Sequence, residues 1–543
     1  MSTDTPTATP RVLPEEIAAL RADLTAASYR TETVEQLLGP VAADALRREN
    51  PVPALRVLEA REEPAAVLLR LFTLGAQVPR SLVEGALPAI GVDGARRLGL
   101  LETVPADPAP AGSDDRGSSA PAPEDGDGPV RALLDLSPYS ASDDAGQIDW
   151  WIASDLSELA TGRPLGPEHV LGVGGASLTL ARITPRTPVG RVLDLGCGGG
   201  IQALHASRHA EHVIATDLSE RALAVAAFNA ALNGIEIELR QGSLLEPVAG
   251  ERFDLIVSNP PFVITPREAA EETTTWTYRD GGRAGDTLLA ELLRALPSHL
   301  APGGSAAMLG NWEITAGGDW DTHPRAWLRE VAADGVDAWV LQREQEDPAQ
   351  YAETWTRDGG VTDRDPGWAG LVRAWLEDFE GRDVERIGFG YLLLRRPADA
   401  SDVPDAPARP GTLRTEQVPG TGTGTLSVHL AESLRAMGTL AQLDDAALAA
   451  ARPVRADDVV ERRHLTPGQW DPMLIELVQG AGFARSVRAD QQLAATVGAL
   501  DGTLTLGQVV AAVCALTDAD EDETLERVLP AVREMILTGM VAL

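Results

Sequence analysis

Two clusters of residues in this chain have the types and spacing to do chemistry. The first, Asn259-Pro260-Pro261-Phe262, joins an amide side chain to two prolines and an aromatic ring. A planar amide or amino nitrogen is a poor nucleophile, because its lone pair is delocalised into the neighbouring π-system. The Asn259 side-chain oxygen and the Pro260 carbonyl can each accept one of its hydrogens. The prolines fix φ, bias Asn259 away from the α conformation and leave no competing backbone donor at 260 or 261. Phe262 can stack on the planar group. Such a site works mainly by positioning, worth up to about 7 to 11 kcal/mol in favourable cases. The second cluster, Asp194-Leu195-Gly196-Cys197-Gly198-Gly199-Gly200, leaves the backbone bare where a ligand approaches, which is half of a nucleotide-type site. The dinucleotide fingerprint needs a third glycine at position 201, where Ile201 stands.

These clusters work only if strands end where they begin. Val192 to Leu195 reads as a buried strand feeding the glycine turn, with a helical stretch from Ile201. His212 to Asp217 is a second short strand ending in a carboxylate, about where a doubly wound fold places the acid that meets ribose hydroxyls. Asp217, followed by Leu218, is therefore the candidate ribose-side residue. A helix over Ala222 to Leu232 stops at Asn233-Gly234, and Ile235 to Arg240 is a third strand with Gln241-Gly242-Ser243-Leu244 at its end. Phe253 to Val257 is the fourth strand. Asn259 to Phe262 then lies at its C-terminal end, the edge where open α/β sheets bind ligands, which argues against a mere proline turn.

The pattern Asp194-x-Gly196-x-Gly198-x-Gly200 resembles the cofactor loop of class I methyltransferases that use S-adenosylmethionine. With the Asn-Pro-Pro-Phe quartet added, residues 191–262 resemble the N-methyltransferases of the release-factor glutamine type, the HemK or PrmC family, and the "small domain" ribosomal RNA guanine methyltransferases. The segment Tyr278 to Asp286, with Leu300-Ala301-Pro302-Gly303-Gly304 beyond it, is similar to the glutamine enzymes. The run Gly172 to Leu180, and Phe262 where the glutamine enzymes usually have Tyr, lean towards the RNA enzymes. The resemblance covers about 170 to 310. It implies an α/β fold with a Rossmann-like, seven-stranded class I methyltransferase sheet, completed by strands at Ser305 to Leu309, Val336 to Gln342 and Arg386 to Arg395 and a helix at Pro324 to Ala333. It implies S-adenosyl-L-methionine as cofactor, held by Asp194, Gly196, Cys197, Gly198, Gly200, Asp217, Leu218, Ser243, Leu244 and Asn259. Asn259, Pro260 and Phe262 then form the catalytic set, holding a nitrogen in line with the sulfonium methyl. Ser243 stands where the family commonly has an acid for the adenine amino group. The acceptor is a protein glutamine, as on a translation factor, or the exocyclic amino group of an RNA or DNA base. A non-catalytic S-adenosylmethionine scaffold is a third reading, against which the intact Asp194, Asp217 and Asn259 argue.

The chain has 543 residues, suggesting about three or four units. Its net charge is −35, and all 46 basic residues are arginine. A protein gripping long nucleic acid needs a cationic stripe, and none is visible, so the charge favours a polypeptide acceptor. Two cysteines, Cys197 and Cys514, cannot cage a metal; Cys514 reads as a buried helix residue and Cys197 as a small residue of the turn. No apolar run approaches membrane length, so the expectation is a soluble, cytoplasmic protein with no membrane partner. The domain reading is a helical unit over 1–103, an acidic Pro/Ala/Gly/Ser/Asp linker over 104–128, a cap or lid segment over 129–180, and the catalytic domain over 181–396. A helical insertion at 347–383, carrying Trp355, Trp368 and Trp375, shapes the substrate entrance or supplies packing anchors. A second linker spans 397–424. A winged-helix-like domain follows over 425–543, with a short strand at Leu504-Thr505-Leu506, helices at Gly507 to Leu516 and Glu523 to Leu537, and Pro530 breaking or kinking the second. The N-terminal unit reads as a packing or partner-docking domain ahead of a nucleic-acid-binding one, and the C-terminal domain as a protein-contact unit. His169 and His205, with no acid at readable spacing, read as structural.

Overall fold

The computed structural model describes residues 9–104, 128–143, 145–162, 165–166, 168–266, 285–398 and 409–543. The N-terminal layer contains α1 (Pro14–Ala26), α2 (Thr31–Arg47), α3 (Val52–Leu58) and α4 (Pro64–Leu68), which runs on into a π-helical turn at Leu69–Thr73. Helices α5 (Arg80–Ala86) and α6 (Gly91–Arg97) lead to β1 (Leu101–Thr103), which pairs antiparallel with β2 (Val130–Ala132). Most of the 104–128 stretch lies outside the described residues. Buried Asp23 accepts from the amides of Ala89 and Ile90, both at 2.9 Å, placing a carboxylate at the amino end of α6. A hairpin of β3 (Asp135–Asp143) and β4 (Gly146–Ser154) follows. Leu134, Leu136 and Ala153 share one core with Tyr29 and Phe72 of the helical layer. The 129–180 stretch is therefore not a single cap: its strands complete the N-terminal core.

After the short α7 (Glu158–Thr161) and α8 (Gly175–Ile183), the chain builds one large sheet from β5 (Val189–Leu195), β6 (Ala210–Asp217), β7 (Glu238–Gln241), β8 (Phe253–Ser258), β9 (Leu300–Thr315), β10 (Asp337–Glu346), β11 (Val384–Arg395) and β12 (Leu413–Gln417). Its order is β12-β10-β11-β9-β8-β5-β6-β7. Strand β11 is antiparallel to both neighbours, and the other pairs are parallel. Eight strands replace the seven expected. The extra one, β12, lies inside the stretch expected as a linker. It pairs with β10 alone, and its Arg414 and Glu416 reach Glu534 and Arg485 instead of a core, so no apolar run betrays it. Strand β7 begins three residues later than expected, because Ile235 and Ile237 pack against Ile152 and Leu204 before pairing starts.

One face of the sheet is covered by α8, α9 (Ile201–Ala206), α10 (Glu220–Asn233) and, further along the chain, a helix from Leu426 to Leu440. Leu289 and Leu292 of α11 (Thr287–Ala295) and Leu328 of α12 (Thr322–Ala333) cover the other. The insertion folds as α13 (Pro348–Asp358) and α14 (Trp368–Glu380). The C-terminal domain contains α15 (Leu426–Leu440), α16 (Asp445–Ala450), β13 (Val454–Arg455), a three-stranded antiparallel meander of β14 (Val459–Leu465), β15 (Pro472–Gln479) and β16 (Ser486–Ala489), then α17 (Gln491–Gly498), α18 (Leu506–Thr517), α19 (Glu521–Leu537) and β17 (Val541–Ala542), which pairs with β13. Leu504 to Leu506 is not a strand. Thr505 caps α18: its hydroxyl accepts from Gln508 N at 3.2 Å, and Gln508 Oε1 accepts from Thr505 N at 2.9 Å. Pro530 does not break α19, which continues to Leu537. The proline is on the exposed side, where water can solvate the carbonyl it leaves free, while Val528, Val532 and Met535 bury the other side. Among the described residues, no helix is long and apolar enough to cross a membrane.

Candidate active site

At the end of β5 the chain turns through Gly196, Gly198 and Gly200, with φ of 72°, 52° and 83°. These are conformations an L side chain rarely tolerates. At Gly200 a Cβ would also stand 3.0 Å from that of Ala226, so this glycine lets α9 start against α10. The amides of Gly196 and Cys197 both bond to Thr216 O, tying the turn to β6. Asp194 is 2% exposed and accepts from Ala203 N at 2.9 Å. Burial raises its carboxyl to about 7. Asp217 accepts from Gly198 N and Ser219 N, both at 2.9 Å, so each of its oxygens keeps acceptor capacity, and burial raises its pKa too. Burial also pushes the Cys197 thiol up, away from any nucleophilic role.

Both carboxylates line a cavity of about 270 Å³ at the C-terminal edge of the parallel strands. Of the residues expected at the cofactor, all but Gly200 line it. Leu244 there has φ of 47°, a strained value for a branched side chain.

The Asn-Pro-Pro-Phe motif opens from β8. Ser258 Oγ donates to Leu195 O at 2.8 Å, locking the strand end to β5. Asn259 lines the cavity, and its Oδ1 is buried without a hydrogen-bond partner among the described residues. Such an orphaned acceptor costs about 1 to 3 kcal/mol. Pro260 and Pro261 line the same wall. Phe262 does not: its ring meets Trp355 of α13 edge-on, with centroids 6.3 Å apart. The insertion thus takes this ring as a packing partner, where stacking on the bound group was expected. Tyr351 of α13, fully buried, accepts from Ile264 N at 3.0 Å and from Asn311 Nδ2 at 2.7 Å. Val263 and Ile264 share an apolar cluster with Tyr351, Trp375 and Phe379, so the insertion grips the chain just after Asn259. Of the Tyr278 to Asp286 segment only its last residues are described; Asp286 accepts from His323 Nδ1 at 2.7 Å and Glu313 N at 3.1 Å.

Glu168 to Val173 form the remaining wall of the cavity. They are held by Asp155, which was not singled out in the sequence. It accepts from Val170 N at 2.7 Å and from both terminal nitrogens of Arg221, and Arg221 donates to Glu168 O at 3.0 Å. The acid missing from the surroundings of His169 in sequence is this one, with Oδ2 3.7 Å from Nδ1, although burial still lowers the pKa of the imidazole. His205 Nε2 bonds to Tyr139 Oη at 2.8 Å, and burial pushes the ring to about 3, leaving it neutral and structural. Two asparagines of α10 bind the backbone of β4. Asn229 accepts from Ala153 N at 2.7 Å and donates to the carbonyls of Ala153 and Gly199; Asn233 accepts from Trp151 N and donates to Trp151 O. Among the described residues no group of His, Cys, Asp and Glu could hold a metal ion.

Residues 173–316 match the family model described as methyltransferase small domain. Residues 26–111 and 432–543 match two models described as domains of unknown function, DUF7059 and DUF7782. The chain is similar to a ribosomal protein uL3 glutamine methyltransferase of Bradyrhizobium diazoefficiens, 33% identical over 179 residues, covering 31% of this chain and 55% of that protein. A release factor glutamine methyltransferase of Cereibacter sphaeroides is 46% identical over 127 residues, covering 22% of this chain and 45% of the relative. A ribosomal RNA small subunit methyltransferase C of Escherichia coli is 33% identical over 139 residues, covering 25% and 35%. The chain spans about half the length, or less, of these relatives.

Proposed function

We propose, taking residues 173–316 as a class I, S-adenosylmethionine-dependent methyltransferase domain of the HemK/PrmC-like kind, that the chain methylates a planar amide or amino nitrogen held at Asn259. The observation that carries this reading is the Asn259 Oδ1, buried and unpaired on the wall shared with Asp194 and Asp217. A target N–H is the group that satisfies it. The residues present fit the cofactor: Asp217 suits ribose hydroxyls, Asp194 the cationic end, and Leu218 and Leu244 the flat faces of adenine. Bound S-adenosylmethionine supplies an electrophilic methyl group on a sulfonium. The chain itself holds both hydrogens of the acceptor nitrogen, on Asn259 Oδ1 and the Pro260 carbonyl, and so keeps its lone pair directed at the electrophile.

The acceptor we infer is a protein glutamine, as on a translation factor. Similarity to the glutamine methyltransferases supports this, as does a net charge of −35, which disfavours a long polyanion. The exocyclic amino group of an RNA base is the second reading, favoured by the relative named for ribosomal RNA and by Phe262 in place of Tyr. The test is incubation with methyl-labelled S-adenosylmethionine and lysate from cells lacking the protein, then separate digestion with protease and nuclease. Label released by protease supports the glutamine reading. Label that survives protease and is released by nuclease makes this an amino-directed base enzyme. If no labelled product depends on Asn259, the methyl-transfer mechanism is wrong.

A further inference from the structure

A second cavity, of about 300 Å³, shares no lining residue with the first. It lies where three segments distant in sequence meet: the tip of the β3–β4 hairpin, the C-terminal end of α8 and the loop entering α15. That loop reads Gly420-Thr421-Gly422-Thr423-Gly424-Thr425. Its glycines are structurally required: a Cβ at Gly422 would lie 2.4 Å from the Ala481 carbonyl oxygen, and Gly424 has φ of 84°. Arg343 occupies the carbonyl side of the loop, donating to Val418 O, Gly420 O and the Thr421 hydroxyl.

What the loop presents to the cavity is positive. Helix α15 starts behind Thr425 with no side chain capping it and no acid in its first turn. The first amides of this fifteen-residue helix have no intrahelical acceptor, and the peptide dipoles add partial positive charge there. Ser427 lines the cavity, is 1% exposed, and its hydroxyl has no hydrogen-bond partner among the described residues. Arg182 and Arg186 line it as well. Among the described lining residues Asp143 is the single acid, and it is already met by Arg208, at 2.5 and 2.8 Å, and by Arg186 at 3.4 Å. Among the described lining residues, Arg182 and Arg186 stand against one carboxylate that Arg208 already neutralises from outside the lining, which leaves this pocket cationic within a chain of net charge −35.

We propose that this cavity is a binding site for a phosphate-type oxyanion, held by the amino end of α15, the Ser427 hydroxyl and the guanidinium groups of Arg182 and Arg186. The proposal does not depend on methyl transfer. The phosphate comes either from a small free anion or from a phosphodiester backbone, and one experiment separates the two. The full chain is titrated calorimetrically with pyrophosphate and with a short single-stranded RNA. The same titrations are repeated on R182E and S427A. Arg182 is exposed, and the Ser427 hydroxyl bonds to none of the described residues, so both variants are expected to fold. The expected result is pyrophosphate binding weakened about tenfold in each variant, the scale of one hydrogen bond to a charged group, with S-adenosylmethionine affinity unchanged. RNA that binds and is displaced by pyrophosphate identifies a backbone phosphate. Pyrophosphate binding without RNA binding identifies a small anion. A wild-type chain that binds neither, or binding that neither substitution weakens, overturns the site.

Discussion

Asn259 and Asp194 face the same cavity with complementary needs: among the described residues, an oxygen without a donor and a carboxyl without a cation. Asn259→Ala deletes an acceptor that the folded chain itself does not use. Stability should hold, while turnover falls about 10²- to 10³-fold, the range seen when a preorganised hydrogen-bonding group at a reacting centre is removed. S-adenosylmethionine affinity should fall far less; wild-type turnover in single-turnover assays would remove Asn259 from the chemistry. Asp194 predicts a pH dependence. Burial lifts it from 3.8 to about 7, so across that window the folded chain holds a proton that the unfolded chain has released. The stability of the ligand-free protein therefore declines as pH rises from about 4 to about 7. Asp135, half-buried at the start of β3 and also raised to about 7 by desolvation, acts in the same direction. A cationic ligand favours the carboxylate, so S-adenosylmethionine affinity should rise between about pH 6 and pH 8 and be flat in Asp194→Asn. Calorimetry at several pH values decides it; a flat wild-type profile would take Asp194 out of contact with the ligand.

The insertion helix α13 acts on the site through Tyr351. Tyr351→Phe keeps the ring against Trp375 and Phe379 but leaves the Ile264 amide and Asn311 Nδ2 without their acceptor. The cost should be about 1 to 3 kcal/mol in denaturant melts. Because the chain after Asn259 is loosened, kcat should fall more than KM rises; lowered stability with full kcat would make Tyr351 a packing residue only. No spacing rule in the sequence reaches this contact, whose partners are 87 residues apart. The same holds for Asp155 and Arg221, which meet only through the fold across 66 residues. What the sequence did reveal were strands whose ends carry the motifs. Val192 to Leu195, Val213 to Thr216 and Leu255 to Val257 are buried on both faces and so are mostly apolar runs, and glycine and proline chemistry marks where two of these strands stop. Where side chains serve an edge or a cap, that signal fails. Strand β12 buries little and pairs its charges with the C-terminal domain, while Leu504 to Leu506 look strand-like until Gln508 completes the cap.

Across the whole molecule, boundaries in sequence are not boundaries between cores. Phe228 and Leu232 of α10 are buried with the N-terminal helices, and Arg21 of α1 donates to Ala231 O and Leu232 O at the carboxyl end of α10. A chain beginning at residue 129 loses that cover. It should aggregate or melt well below the full chain, with S-adenosylmethionine binding impaired; a stable fragment of full affinity would show the N-terminal layer to be dispensable. The asparagines of α10 extend this coupling. Asn229 touches Gly199 of the cofactor turn and also accepts the Ala153 amide of β4. A ligand that immobilises the turn restrains Asn229, and through it a hairpin some of whose residues lie in the N-terminal core. Backbone protons of Ala153 and Trp151, neither of which lines the cavity, should then trade for deuterium more slowly once the cofactor is loaded. Strand β4 becomes a built-in gauge of occupancy, read at the two residues that flank Ile152, its one residue on the described cavity wall.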